Sequence, residues 1–399
     1  MGHVEDRWHA VPGGRKVRSD RYGAGLRWKV RYEVDGRARS KSYERKVDAE
    51  AFLATAEADQ LRGTFVDPRE GRVTFRVYAE GWRATAAHRQ STRDRVERTL
   101  RLHVYPVLGD RQLGAIRTST VQAFVAAAAE VLAPATLRVA HSVVVAIFRA
   151  AVRDRVIASS PCEGVRLPEV GRRRVQPPPL EVVQVLEAAL PARFRAVVPL
   201  VAGAGLRQGE VFGLEVDRVD FLRRREVDVA QQLVTLAGGK PFLGPPKTPE
   251  SVRVVPLAQL TLDELAAHLA AFPAAGVEVE DRTDPRRPAP RPARLVFTMP
   301  DGRPVARHDW STTWAPAARA AGLPARTGLH VLRHLYASLL IRHGESVKTV
   351  QARLGHSSAA ITLDTYGHLW PDADDRTREA VEAALSAATS RSRPEAGTR

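Results

Sequence analysis

Residues 329–368 read LHVLRHLYASLLIRHGESVKTVQARLGHSSAAITLDTYGH, and the rest of the chain is best read outward from this stretch. Leu332, Leu335, Leu339 and Leu340 recur at helical spacing and predict a helix with one apolar stripe. His330 and Arg333, at i and i+3, share a face distinct from that stripe. Ser346 suits an N-cap and Gly355 a C-terminal stop, so Val347 to Leu354 reads as a second, short helix. His356 follows the stop, and Tyr366 stands ten positions later, beside Gly367 and His368. On its own this outline also fits a helix-turn-helix regulator with no enzymatic activity.

Two earlier segments change the balance. Gly205-Leu206-Arg207-Gln208-Gly209-Glu210 reads as a turn into a helix. Pro246-Lys247-Thr248, followed by Ser251, Arg253 and Val255-Pro256-Leu257, reads as a hairpin leading into a strand. Each segment alone has an ordinary explanation: a surface arginine, a structural histidine, a packed tyrosine. Together and in this order they resemble the catalytic domain of the tyrosine recombinases, the phage integrase family. The likeness extends over roughly residues 73–385, with a helical part similar to the core-binding domain. Val331 is a departure, standing where many relatives carry Asp.

The resemblance implies Arg207, Lys247, His330, Arg333, His356 and Tyr366 as catalytic residues, and the chemistry is physically coherent. Attack on a phosphodiester builds charge on the non-bridging oxygens, which two guanidiniums can clamp bidentately. Tyr366 would supply the attacking oxygen and form a 3′-phosphotyrosyl link, which conserves bond energy so that religation needs no ATP. Lys247 would protonate the leaving 5′-oxygen. Lysine is scarce, with only Lys240, Lys247 and Lys348 after residue 171, and Lys240 lacks the Thr-x-x-Ser-x-Arg context. His330 would assist proton transfer from Tyr366, His356 would hydrogen-bond the phosphate, and Glu210 would orient Arg207 and His330. No cofactor is implied, and the histidines lack carboxylates at metal-ligand spacing. A type IB topoisomerase shares this chemistry and is the enzymatic alternative. The family also implies double-stranded attachment sites, a synaptic tetramer on DNA, and accessory directionality or DNA-bending proteins.

Composition agrees with a polyanionic partner. The 399 residues carry a formal charge of +16, with 61 Lys and Arg spread along the chain. Only seven of these are Lys, so an arginine-rich genome bias also contributes. A 44% apolar share is that of a globular protein. The single cysteine, Cys162, excludes an intramolecular disulfide framework and fits a reducing cytoplasm. No signal peptide or myristoylation motif is recognised at the N-terminus. The most apolar run, Val139 to Val152, is broken by His141 and Arg149, so no membrane span is expected.

The expected fold is mainly α with an α+β catalytic domain. Residues 1–65 form an N-terminal module similar to integrase arm-binding domains, with residues 1–20 polar and mobile. Leu26, Trp28, Val30 and Tyr32 alternate with Arg27, Lys29 and Arg31, predicting a strand. Asp35-Gly36 is a hairpin turn, and a helix over Val47 to Leu61 completes a ββα outline. Residues 73–167 read as helices opened by Thr74, Ser91 and Pro134, the last running to Ile157. Arg93 and Arg95, with Arg27, Lys29 and Arg31, are candidate phosphate contacts. A linker over 168–180 contains Arg172-Arg173-Arg174 and Pro177-Pro178-Pro179. The catalytic domain spans 181–387, with a small antiparallel sheet and a mobile Pro- and Arg-rich insertion over 273–294, and 388–399 are a basic tail.

Overall fold

A computed structural model describes residues 2–34, 36–63, 65–169, 171, 174–236, 238–370, 378 and 381–386. The expected tail over 388–399, the end of the catalytic domain at 387, Asp35, Arg172 and Arg173 lie outside the described residues. The chain forms two compact units, Met1–Gly171 and Arg172–Arg399.

In the first unit the alternating stretch forms the strand Trp28–Val34, antiparallel to Arg37–Tyr43, in register from Trp28↔Tyr43 to Val34↔Arg37. This register leaves a two-residue turn, and Gly36 takes the left-handed conformation it needs (φ +75°). Val30 and Tyr32 point inward and pack near Ala49 and Phe52 of the helix Lys46–Leu61. Residues 1–20 differ from expectation. His3–Asp6 is a third strand paired to Trp28–Val34, and His9–Ala10 pairs with Val17–Arg18. The cause is charge: Arg27 grips Asp6 through Nε and Nη2 at 3.1 and 2.8 Å, and Arg31 donates to Glu5 at 2.8 Å. A four-residue strand carries too little periodicity to be read alone.

The remainder of this unit is helical. Thr74 caps Phe75–Thr85 by accepting from the Val77 amide at 3.4 Å. Gln90–Thr99 continues through a π-helical turn, Leu100–Val104, into Tyr105–Leu108. Val96, Leu100 and Val104 are buried as the spacing predicts, while Arg93 and Arg95 are exposed. Pro134–Arg153 ends four residues before the expected Ile157, near Arg155 at φ +57°. With 20 residues and a mean hydropathy of 1.5, this helix has the length and composition of a membrane span. Leu137, Val144, Ile147 and Phe148 on it are nonetheless core residues of the helical unit.

In the second unit, Arg253–Pro256, Glu226–Val229 and Val219–Asp220 form an antiparallel sheet in that order. The expected mobile insertion is instead ordered. Val277–Asp281 and Ala289–Ala293 form a hairpin in a four-stranded sheet with Phe242–Gly244 and Gln232–Val234. That sheet is mixed rather than antiparallel, because Val277–Asp281 runs parallel to Phe242–Gly244. Pro290 and Pro292 sit on its edge strand, where a missing amide costs nothing in the ladder. Arg291 anchors it, with two bonds to Glu215 at 2.7 and 2.9 Å and one to Asp281 at 2.6 Å. The helices Val197–Ala204, Gln208–Phe212, Arg307–Ala320, His330–Arg342, Val347–Leu354 and Ala359–Tyr366 surround this framework and supply most of the site.

Candidate active site

Gly205 ends the helix Val197–Ala204 in the left-handed conformation (φ +63°), and a Cβ there would lie 2.4 Å from Tyr336 Cδ1. This stop places Arg207 at the N-cap of Gln208–Phe212. Glu210, in the first turn, accepts from the Arg207 amide at 2.9 Å and from Arg207 Nη1 at 2.7 Å. The second partner of Glu210 is Arg253, whose Nη2 donates at 2.9 Å. The expectation that Glu210 also orients His330 finds no hydrogen bond between them among the described residues; the carboxylate's bonds go to Arg207 and Arg253. Burial raises its pKa, but Arg253 and Arg207 outweigh that and hold it below the usual carboxylate range.

Gly355 ends Val347–Leu354 in the same way (φ +61°) and gives its carbonyl to Arg207 Nη2 at 2.9 Å. Arg333 is turned into the core, 1% exposed, and donates to the Gly205 and Leu354 carbonyls, each at 2.5 Å. Two helix ends thus present carbonyls to two arginines. His330, one turn before Arg333 on the same helix, lies exposed at the helix start. The leucine stripe is broader than expected, with Tyr336, Ala337 and Ser338 also buried. Arg333 Nε is buried without a hydrogen-bond partner. Burial, and then Arg207 beside it, push the Arg333 pKa down to about 9, which leaves it charged at neutral pH. Three guanidiniums around one carboxylate leave a net positive pocket suited to an anion.

Beside this cluster stand three histidines and Tyr366. The Tyr366 hydroxyl is 2.8 Å from His334 Nδ1, and its ring stacks with His356 at 6.4 Å and 9°. His330 lies edge-on to His334 at 4.6 Å. His356 Nδ1 is 2.9 Å from Thr362 Oγ1. Burial pushes the Tyr366 phenol up to about 12, opposed by Arg333. Burial and then Arg333 and Arg207 push His356 down to about 4. His330 at the rim moves the same way, through desolvation and then His334, Arg333 and Arg207.

Arg207, Glu210, His330, Arg333, His356 and Tyr366 thus come together. Lys247 does not join the cluster; it is exposed on the turn before Pro249–Ser251. Its neighbour Thr248 lies 3.1 Å from Ser251 Oγ, which accepts from Arg207 Nη1 at 3.1 Å. In the first unit, Arg27 and Arg31 are held in ion pairs and Lys29 is half-buried opposite Glu5. Sequence reasoning gave no role to Arg253 or His334. The available signals were an arginine in phase with buried Val255 on a short strand, and a histidine four positions after His330.

Residues 180–372 match the phage integrase family and residues 75–167 the phage integrase central domain. A tyrosine recombinase XerC-like protein of Caldanaerobacter subterraneus subsp. tengcongensis is 28% identical over 256 residues, which is 59% of this chain and 63% of that protein. The putative prophage phiRv2 integrase of Mycobacterium tuberculosis is 28% identical over 371 residues, covering 90% and 92%. The Tn1549 transposon integrase, solved with transposon right end DNA, shares the fold at a TM-score of 0.65 and 20% identity over 79% of this chain and 100% of that one. A lambda integrase dimer on a core site gives 0.53 at 17% identity, over 86% and 94%. The class defined is that of DNA breaking-and-rejoining enzymes, and neither a regulator nor a relaxing topoisomerase is favoured. The chain belongs to the phage integrase family of tyrosine recombinases.

The lowered histidines have a consequence for stability. At pH above 6.5 both folded and unfolded chains keep them neutral, so they contribute no pH dependence there. Between 6.5 and about 4 the unfolded chain binds protons that the folded site refuses, so stability falls as pH falls through that window. Glu210 acts below this window, since its contribution is lost only as pH falls below the usual carboxylate range. The thermal midpoint of the second unit is therefore expected to drop between pH 7 and 5, and His356→Asn to flatten the slope. An unaltered slope in the variant would show that His356 is not held neutral.

Proposed function

We propose that this protein is a site-specific integrase that cuts and rejoins attachment-site DNA through a 3′-phosphotyrosyl link at Tyr366. The observation that carries the reading is a tyrosine hydroxyl packed among histidines beside Arg207, Arg253 and Arg333, whose charge one carboxylate only partly offsets. A guanidinium has five donors. Arg207 spends three on Glu210, Ser251 and Gly355, and Arg333 spends two on Gly205 and Leu354. The donors that Arg207 has left, on a side chain 26% exposed, are available to phosphate oxygens while the arginine stays fixed.

The Tyr366 oxygen bonds to phosphorus, the bond from phosphorus to the 5′-oxygen breaks, and Lys247 protonates the departing oxygen. His330 at the rim and half-buried His356 contact the phosphate or the proton path. Charge on the exposed Arg93 and Arg95 adds backbone contacts. The lambda integrase has been solved as a tetramer on a Holliday junction, which supports a tetrameric synaptic complex here. Accessory directionality or bending proteins and a cytoplasmic, nucleoid-associated setting belong to the same reading. The module over 1–65 is assigned to arm-type sites, read by residues other than the paired Arg27 and Arg31.

Tyr366→Phe should abolish the covalent adduct and leave DNA affinity within about tenfold, roughly 1.4 kcal/mol. An SDS-resistant complex formed by the Phe variant on nicked DNA would remove Tyr366 from the role. Lys247→Ala should cleave ordinary DNA slowly, by at least about a hundredfold, and recover when sulfur replaces the scissile 5′-bridging oxygen. Equal defects on both substrates would give Lys247 a binding role instead. Footprinting of the full-length protein on its attachment DNA, recovered from the sequence flanking the gene, should reveal protected segments apart from the exchange core. Protection confined to the core at low and moderate salt would reject arm binding.

A further inference from the structure

Tyr366 is 1% exposed, so bulk water is not in position to receive its proton. The phenol must nevertheless lose that proton as it attacks, because burial keeps it neutral far above neutral pH. Two histidines, His334 and His356, meet it and a third, His330, meets His334, and they are not equivalent. The Nδ1 of His356 is engaged with Thr362 Oγ1, and this ring meets Tyr366 face to face rather than through a nitrogen. His330 touches the ring of His334 and, among the described residues, makes no recorded hydrogen bond to Tyr366. His334 alone of the three has a ring nitrogen on the reacting oxygen, Nδ1 at 2.8 Å, a contact across 32 positions of sequence.

We propose that His334 is the base of the cleavage step, its Nδ1 accepting the phenolic proton as the Tyr366 oxygen attacks phosphorus. This rests on Tyr366 being the nucleophile. The required tautomer carries its proton on Nε2 and presents the Nδ1 lone pair to the hydroxyl. Burial, and then Arg333, lower the His334 pKa, so the ring enters the step neutral. The groups facing it are His330 and Arg333 on its own helix and Tyr366 at the end of Ala359–Tyr366.

The bookkeeping of the step closes. The Tyr366 O–H bond breaks and its proton goes to His334 Nδ1. The bond from the Tyr366 oxygen to phosphorus forms as the bond from phosphorus to the 5′-oxygen breaks, and the electron pair of that broken bond leaves on the 5′-oxygen, which takes a proton from Lys247. In rejoining, the His334 imidazolium returns its proton to the phenol. An imidazolium beside Arg333 is unfavourable in the free protein, and the negative charge gathering on the phosphate offsets it. The base is therefore strongest when substrate is bound.

The test uses the full-length protein and single-turnover cleavage of nicked attachment-core DNA. His334→Ala should slow adduct formation by about a hundredfold or more. His334→Asn, which keeps a hydrogen-bonding group but takes no proton, should be equally slow, and serves as the folding-safe variant. Fluorinated tyrosine at position 366 is more acidic and needs less help, so it should restore about tenfold or more in both variants while changing the unsubstituted enzyme little. Wild-type rates in His334→Asn would reduce His334 to orienting the phenol and overturn the proposal. So would a defect that fluorotyrosine leaves unchanged. A Tyr366→Phe protein that still forms adducts would instead overturn the nucleophile assignment, an outcome separable from both.

Discussion

The site depends on one buried carboxylate. Glu210 lies under the catalytic surface with Arg207 on one oxygen and Arg253 on the other. Removing one partner from such a pair is costly, typically about 3–5 kcal/mol, because the remaining charge stays buried and uncompensated. That constraint reaches outward. Arg253 is fixed in turn by the carbonyls of Arg353 and Ser251, at 2.7 and 2.9 Å, so the strand Arg253–Pro256 and the helix Val347–Leu354 are tied to the Arg207 turn. Gly355 sits at the junction, where a Cβ would lie 2.9 Å from the Glu250 carbonyl oxygen and 3.0 Å from Ser251 Cα. Any other residue would push the strand-side loop off the helix end that holds Arg207.

Positive charge and neutral imidazoles are two results of one arrangement. Arginine retains its proton even when strongly desolvated, whereas histidine surrenders its proton under modest pressure. Packing both beside each other yields fixed cations for the phosphate and neutral bases for the proton. Arg333 serves both ends, since it lowers His334 and His356 and also favours the ionised form of Tyr366. The Tyr366 phenol is thus held neutral by burial, in a field that favours its anion.

The parts of the site legible in the sequence were those with local signatures. The turn into a helix at Gly205 and the capped helix ending at Gly355 marked the segments that hold Arg207 and His356, and the resemblance supplied their roles. Their neighbours were hidden because their partners are remote. Nothing near Arg253 announces Glu210, 43 positions earlier, and nothing near His334 announces Tyr366. Proline content misled over 273–294, where the prolines occupy an edge strand and Arg291 supplies the anchor. Alternation revealed Trp28–Val34 but assigned its arginines to DNA, because the acidic strand that neutralises them was too short to read.

The exposed position of Lys247 is explained by the same electrostatics. An ammonium set among Arg207, Arg253 and Arg333 would meet like charges at short range with only Glu210 to offset them. Lys247 therefore has no favourable place among the three guanidiniums. It stands outside, on a turn connected through Thr248 and Ser251 to Arg207. A phosphate entering the guanidiniums reverses the sign of the local field, and the ammonium then gains by approaching the leaving oxygen. On the proposed reading of Lys247 as the acid, its arrival is in this way coupled to binding of the phosphate.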